Sequence, residues 1–174
     1  MEQIQLIRDC IRNVPDFPKS GIQFKDITPI LSNPAAFGAS IEALAAPYKN
    51  SNIDLVVGIE ARGFIFGTPV ARLLGIGFVP IRKPGKLPWK TRSASYELEY
   101  GSDALEIHAD AVSKGQKVLV IDDLLATGGT ARAACDMLEE MGANVAEVRV
   151  LIELEFLKGR DKLAPFMTRS VLTF

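Results

Sequence analysis

The stretch VLVIDDLLATGGTA, residues 118–131, decides how the rest of the chain is read. It opens with four consecutive aliphatic residues, a run that fits a parallel strand covered on both faces. Asp122 and Asp123 follow directly. A turn of small residues comes next (Ala126, Thr127, Gly128, Gly129 and Thr130), and helix-compatible sequence then runs to Met141, with Gly142 as its C-terminal stop. Paired glycines let successive backbone N–H groups point into one concavity that can hold a phosphate. The start of a helix adds the positive end of its dipole, and the hydroxyls of Thr127 and Thr130 can donate as well. Two acids beside such a nest would repel an anion. They make sense against sugar hydroxyls, or against a cation that travels with the phosphates. The lysine of the nucleoside-triphosphate P-loop is missing, and G-x-G-x-x-G is absent too.

Working outward, the same alternation repeats. Residues 55–59, 77–81 and 145–152 read as buried strands, and 63–74 and 129–141 as helices, the first of these starting at Arg62-Gly63. A further helix opens at Asn33-Pro34, with Asn as cap and Pro in the first position, and stops before Pro47. The pattern predicts an α/β fold: an open, mostly parallel twisted sheet with helices on both faces. In such sheets ligands bind beyond the carboxyl ends of the strands. The segments after Ile59, Ile81, Ile121 and Ile152 should therefore converge on one cleft. At the N-terminus, Ile4, Ile7 and Ile11 share a helical face that Pro15 and Pro18 bring to an end. Residues 17–29, FPKSGIQFKDITP, read as turn-like.

At 174 residues the chain is expected to form a single domain, 1–174. Its charge is balanced overall, with 20 Lys+Arg against 21 Asp+Glu and a net charge of -1, which argues against a globally basic nucleic-acid binder. Locally the charges are segregated. Residues 82–92, RKPGKLPWKTR, carry five basic residues and no acid, whereas 93–110 carry five acids and no Lys or Arg. Tyr96, Leu98 and Tyr100 alternate with Glu97 and Glu99 as in a strand, and Gly101-Ser102 looks like the turn into 104–107. This block reads as a loop and hairpin projecting from the core. Two cysteines, Cys10 and Cys135, and an N-terminus without the pattern of a secretory signal predict a cytoplasmic protein without disulfides. No apolar run is long enough to span a membrane. The lone histidine, His108, reads as a surface residue, and no His/Cys cluster with metal-ligand spacing is present.

Residues 118–131 resemble the signature of the type I phosphoribosyltransferases, which use 5-phosphoribosyl pyrophosphate (PRPP). Nearly the whole chain resembles the adenine-using branch of that family, through FPKSGIQFKDITP (17–29), EARGF (60–64), RKPGKLP (82–88), ASYELEYG (94–101) and LKGRDKL (157–163). The resemblance implies an Mg²⁺-dependent transferase that moves the phosphoribosyl group of PRPP to N9 of adenine, giving AMP and pyrophosphate. It implies a small N-terminal hood (about 1–33), a flexible flap and hairpin (about 84–108), and a homodimer.

Residue by residue, the resemblance places the 5′-phosphate on Ala126 to Thr130 and the ribose hydroxyls on Asp122 and Asp123. It places pyrophosphate on Glu60, Ala61 and Arg62, with a cis peptide at Glu60-Ala61, and on Arg82, Lys83 and Lys86. Adenine falls to Gln23, Phe24 and Lys25, with Leu154 closing the opposite face. In the flap, Glu99 becomes the group that handles the proton of adenine, with Tyr100 beside it. Asp122, Asp123, Arg62 and Glu99 form the implied catalytic set, and Mg²⁺ is held mainly through PRPP and pyrophosphate, so no residue is assigned as a metal ligand. The chain departs from many relatives at Ser20-Gly21, where they have proline-glycine, and at Lys25, where they have arginine. Trp89 is an unusual flap residue. The same transfer to hypoxanthine or guanine is the nearest alternative, and blocks 17–29 and 94–101 speak against it. A non-catalytic, PRPP-sensing regulator that binds nucleic acid would want a basic face and added length.

Overall fold

The computed structural model of the chain describes residues 2–97 and 102–174. Its contacts divide the chain into two units, Met1–Ala43 and Leu44–Phe174. In the first, α1 (Glu2–Asp9) is followed by β1 (Arg12–Pro15) and β2 (Gln23–Asp26), which pair antiparallel from Arg12↔Asp26 to Pro15↔Gln23. Segment 17–29 is therefore not simply a turn. Its second half supplies β2 and then α2 (Thr28–Ser32), where the Asp26 carboxylate accepts the Thr28 N–H at 2.9 Å. A four-residue strand is too short to show a period, and its partner lies before two prolines, so pattern reading passes over it. Asn33 caps α3 (Pro34–Ala45) as expected, its side-chain oxygen accepting from the N–H groups of Ala35 and Ala36.

The second unit carries the parallel sheet. It contains β3 (Leu55–Ile59), α4 (Gly63–Leu74), β4 (Gly77–Ile81), the hairpin β5 (Thr91–Glu97) and β6 (Ser102–His108), β7 (Lys117–Leu125), α5 (Gly129–Glu140), β8 (Asn144–Glu153), α6 (Gly159–Leu163) and β9 (Thr168–Thr173). The sheet order is β4-β3-β7-β8-β9, every pair parallel. Pro80 lies on β4, an edge strand, where a missing N–H is tolerated. Val57, Val118 and Val120 share a buried cluster with Ala134, Met137 and Leu138 of α5. Side chains alternate along a strand, so Val56, Leu119 and Ile121 face the other side, where α4 packs on β3 and β7. Helices thus cover both faces. Burying each large aliphatic side chain of this core contributes about 1.5–3 kcal/mol. From β3 the chain crosses outward to β4, and from β7 outward to β8. The order reverses between β3 and β7, and that reversal opens a crevice at their carboxyl ends.

Four expectations change. The strand through 118–121 continues to Leu125, so Asp122 and Asp123 lie within it, and Leu124 and Leu125 still pair with Ile152 and Glu153. A fifth strand, β9, completes the sheet; only Thr168 and Leu172 of it are buried, too few to announce a strand. The hairpin begins at Thr91 and does not merely project. Leu105 and Ile107 are fully buried in the α5-side core, and Arg82 and Glu106 exchange backbone hydrogen bonds that tie β6 to the end of β4. His108, opposite Thr91, is half-buried rather than on the surface. Trp89 is 63% exposed.

Candidate active site

The crevice between β3 and β7 holds a cavity of about 210 Å³. One wall is the turn predicted to bind phosphate: Ala126, Thr127, Gly128, Gly129 and Thr130 all line it. Gly128 takes the left-handed conformation (φ 81°) as the N-cap of α5, a conformation that glycine adopts without strain. Below the turn, Asp122 and Asp123 line the floor. Asp123 is 4% exposed, and its own N–H donates to Asp122 Oδ1 at 2.9 Å. Burial, and then the charge of Asp123, push the Asp122 carboxyl well above the usual range. Burial also raises Asp123, against the opposing pull of the Arg62 guanidinium. A floor of two reluctant carboxylates is primed to accept hydroxyl donors or a cation, either of which would relieve the cost of ionisation.

The other wall carries the cations Arg62 and Lys83, and Arg82 lies beside it, each engaged by a carboxylate. Arg62 Nε lies 2.8 Å from Asp123 Oδ2. Arg82 holds both oxygens of Glu60, at 3.2 and 3.4 Å, while the Lys83 N–H donates to Glu60 Oε2 at 2.9 Å. The Lys83 N–H, with help from Arg82, keeps the Glu60 carboxyl below its ordinary range. The Lys83 ammonium donates to Asp103 and to the Tyr96 hydroxyl, both on the hairpin. Burial works against that charge, but the hydrogen bonds to Asp103 and Tyr96 outweigh it and raise the Lys83 pKa. The Glu60-Ala61 peptide is cis, as the resemblance implied.

The fold thus brings together Glu60, Ala61, Arg62, Lys83, both aspartates and the whole small-residue turn. Other expected residues do not line this cavity. Arg82 turns to Glu60, with its Nη1 donating to the Lys86 carbonyl at 3.1 Å, and Lys86 itself is exposed. Leu154 is buried, its N–H donating to the Leu125 carbonyl at 2.9 Å. Gln23, Phe24 and Lys25 form β2 of the first unit. There the Phe24 ring meets Phe17 edge-on at 5.1 Å, and Lys25 Nζ donates to Asn13 at 2.6 Å. Glu99 and Tyr100 lie outside the described residues. Sequence reading missed Tyr96 as a lining residue. Its place in the alternation of the hairpin was visible, but not the face it would present.

A family profile for the phosphoribosyl transferase domain matches residues 26–167, and the chain belongs to that family. Within the family, the chain is similar to adenine phosphoribosyltransferases. The protein of that name from Roseiflexus sp. (strain RS-1) is 58% identical over 168 residues, covering 97% of this chain and 98% of its own length. The crystal structure of adenine phosphoribosyltransferase from Thermoanaerobacter pseudethanolicus superimposes with a TM-score of 0.95 at 53% identity, over 98% of this chain and 99% of the other. That of the Saccharomyces cerevisiae enzyme, complexed with an imino-altritol bisphosphate and adenine, gives a TM-score of 0.93 at 43% identity, over 98% and 99%.

Proposed function

We infer that the chain is a glycosyltransferase of purine salvage: it transfers the 5-phosphoribosyl group of PRPP to N9 of adenine, giving AMP and pyrophosphate. The observation that carries this reading is the cavity itself. An uncharged turn of small residues, two aspartates of which Asp123 is buried, and two cations surround a space of about 210 Å³. PRPP presents the matching sequence of groups: a 5′-phosphate, two hydroxyls and a pyrophosphate.

In this reading the N–H groups of residues 127–130 and the threonine hydroxyls hold the 5′-phosphate. Asp122 and Asp123 accept the ribose hydroxyls and fix the sugar so that C1′ faces the incoming base. Arg62 and Lys83 meet the negative charge that grows on departing pyrophosphate. Arg82 acts through Glu60, holding the 60–62 loop in place, and Lys86 supplies positive charge nearby. Phe24 stacks on adenine, the backbone of Gln23 and Lys25 reads its edge, and Leu154 covers the other face. Glu99 accepts or relays the proton that adenine must lose, and Tyr100 closes beside it. Among the described residues no three His, Cys, Asp or Glu side chains converge as a metal cage. The hard oxygens of Asp122 and Asp123 fit Mg²⁺ that takes most of its ligands from PRPP and water. When bound, Mg²⁺ neutralises charge on the leaving pyrophosphate. A homodimer rests on the family resemblance, and a cytoplasmic location fits the two free cysteines.

The test is the ultraviolet change on mixing protein, Mg²⁺, PRPP and each purine base. Turnover with adenine is expected, together with loss of most of it in Glu99→Ala. Turnover with hypoxanthine or guanine but not adenine would overturn the reading.

A further inference from the structure

The block LKGRDKL, 157–163, carries no role in the reaction so far, yet it sits against the phosphate turn. A Cβ built on Gly159 would collide with the carbonyl oxygen of Ala126 and come within 3.1 Å of the Gly128 nitrogen. Conversely, a Cβ on Gly128 would collide with the Gly159 carbonyl and meet its Cα at 3.3 Å. The two backbones touch with no side chain between them, at the turn whose residues 126–130 line the cavity.

What presses Gly159 into that position is also visible. Lys158 takes the left-handed conformation (φ 53°), which turns the chain into α6. Arg160 then reaches the end of β8 through a two-pronged ion pair with Glu153, its Nε donating to Oε1 at 3.0 Å and its Nη2 to Oε2. Glu153 is 3% exposed and accepts a third bond from Ser170 of β9 at 2.8 Å. At the far end of α6, Arg132 Nη1 donates to the Ala164 carbonyl at 2.8 Å. A buried carboxylate bound by a planar fork is a firm, directional anchor.

We propose that residues 158–163 are the buttress of the 5′-phosphate turn, with Gly159 as the contact and the Arg160–Glu153 pair as the positioning element that holds it there. The proposal rests on the reading of residues 126–130 as the phosphate site. It makes Gly159 and Arg160 determinants of affinity for the phosphorylated end of the substrate and leaves the pyrophosphate end alone. Arg160 touches no substrate and acts only through the backbone of 158–159.

The experiment compares full-length wild type with Gly159→Ala, Arg160→Gln and Arg160→Lys. Calorimetric titration measures binding of ribose 5-phosphate and, separately, of Mg²⁺-pyrophosphate. Steady-state kinetics give KM for PRPP and kcat. Displacing a phosphate nest by a fraction of an ångström should weaken ribose 5-phosphate and raise KM for PRPP roughly tenfold or more in Gly159→Ala, with pyrophosphate affinity within about twofold of wild type. Arg160→Gln should shift the same two quantities by a smaller factor. Arg160→Lys, which keeps the charge but not the fork, should recover part of the loss. Unchanged ribose 5-phosphate affinity in folded Gly159→Ala overturns the proposal, as does equal loss of both ligands in every variant. If Gly159→Ala does not fold, Arg160→Gln decides by the same criterion. A wild-type protein that binds pyrophosphate but not ribose 5-phosphate overturns the phosphate reading, and the buttress with it.

Discussion

In the proposed reading the two walls of the cavity solve the same problem, holding a polyanion, in opposite ways. The phosphate wall uses backbone: small residues, a left-handed glycine, and the first turn of a helix buried against the core. The wall proposed to meet pyrophosphate uses side chains. Arg62 and Lys83, which line the cavity, are paired with Asp123 and Asp103, and Arg82, which does not, is paired with Glu60. The first wall is set by how closely backbones approach, Gly128 against Gly159, and presents no charged side chain to the cavity. The second is an exchange of partners, in which an incoming anion competes with carboxylates already in place. A leaving group must be held and then released, and exchangeable ion pairs suit that. The retained phosphate is better served by a fixed nest.

The contrast can be broken most severely at Gly128. Replacing it with valine forces a β-branched residue into positive φ and against Gly159. We expect kcat/KM for PRPP to fall by about 100-fold or more, with pyrophosphate binding nearly unchanged. A comparable loss of both ligands would show that the walls are not independent.

Asp122→Asn comes next. It should lower kcat by roughly 10-fold to 100-fold through loss of the ribose contact. Its effect on stability should run the other way. The folded-state pKa of Asp122 is raised, so the native protein binds that proton more tightly than the unfolded chain does. Stability is therefore lost as pH rises from the ordinary carboxylate range through the raised value. The asparagine variant escapes this loss, and its Tm should exceed that of wild type increasingly toward alkaline pH. Thermal melts across a pH series check the sign.

On the other wall, Lys83→Ala should weaken pyrophosphate about 10-fold while ribose 5-phosphate binding stays put, read by titration of each ligand. The smallest effect is expected from Asp103→Asn. Removing the competing carboxylate should tighten pyrophosphate binding by about twofold at low salt, and the gain should shrink as salt screens the partly exposed pair. Weaker binding would mean that Asp103 orients Lys83 more than it competes for it.

Much of the sheet was readable from local pattern. Four of its strands contain largely apolar runs between turn signals, and β9 escaped because two buried residues in six make no pattern. In the site, the nest and the two acids are contiguous in sequence, so their chemistry could be read as a unit. Arg62 and Lys83 were placed at strand ends and do line the cavity, whereas Arg82, one residue earlier, turns to Glu60. That difference follows from side-chain alternation at the end of β4, a matter of which face each residue takes. Tyr96 was visible as a strand residue, but only the docking of the hairpin onto α5 brings it to the cavity.

By itself the sequence determined the kinds of most elements and their order, the small-residue turn that lines the cavity, and the family, because each depends on residues close together along the chain. Only the tertiary structure decided how the charges pair and what supports the nest. Glu60 and Arg82 are 22 residues apart, Lys83 and Asp103 are 20, and Gly159 reaches Gly128 across an intervening helix and strand. Proximity of that kind comes from sheet order and helix packing. It leaves no periodic trace in the sequence, since any exposed acid could in principle have met any exposed base.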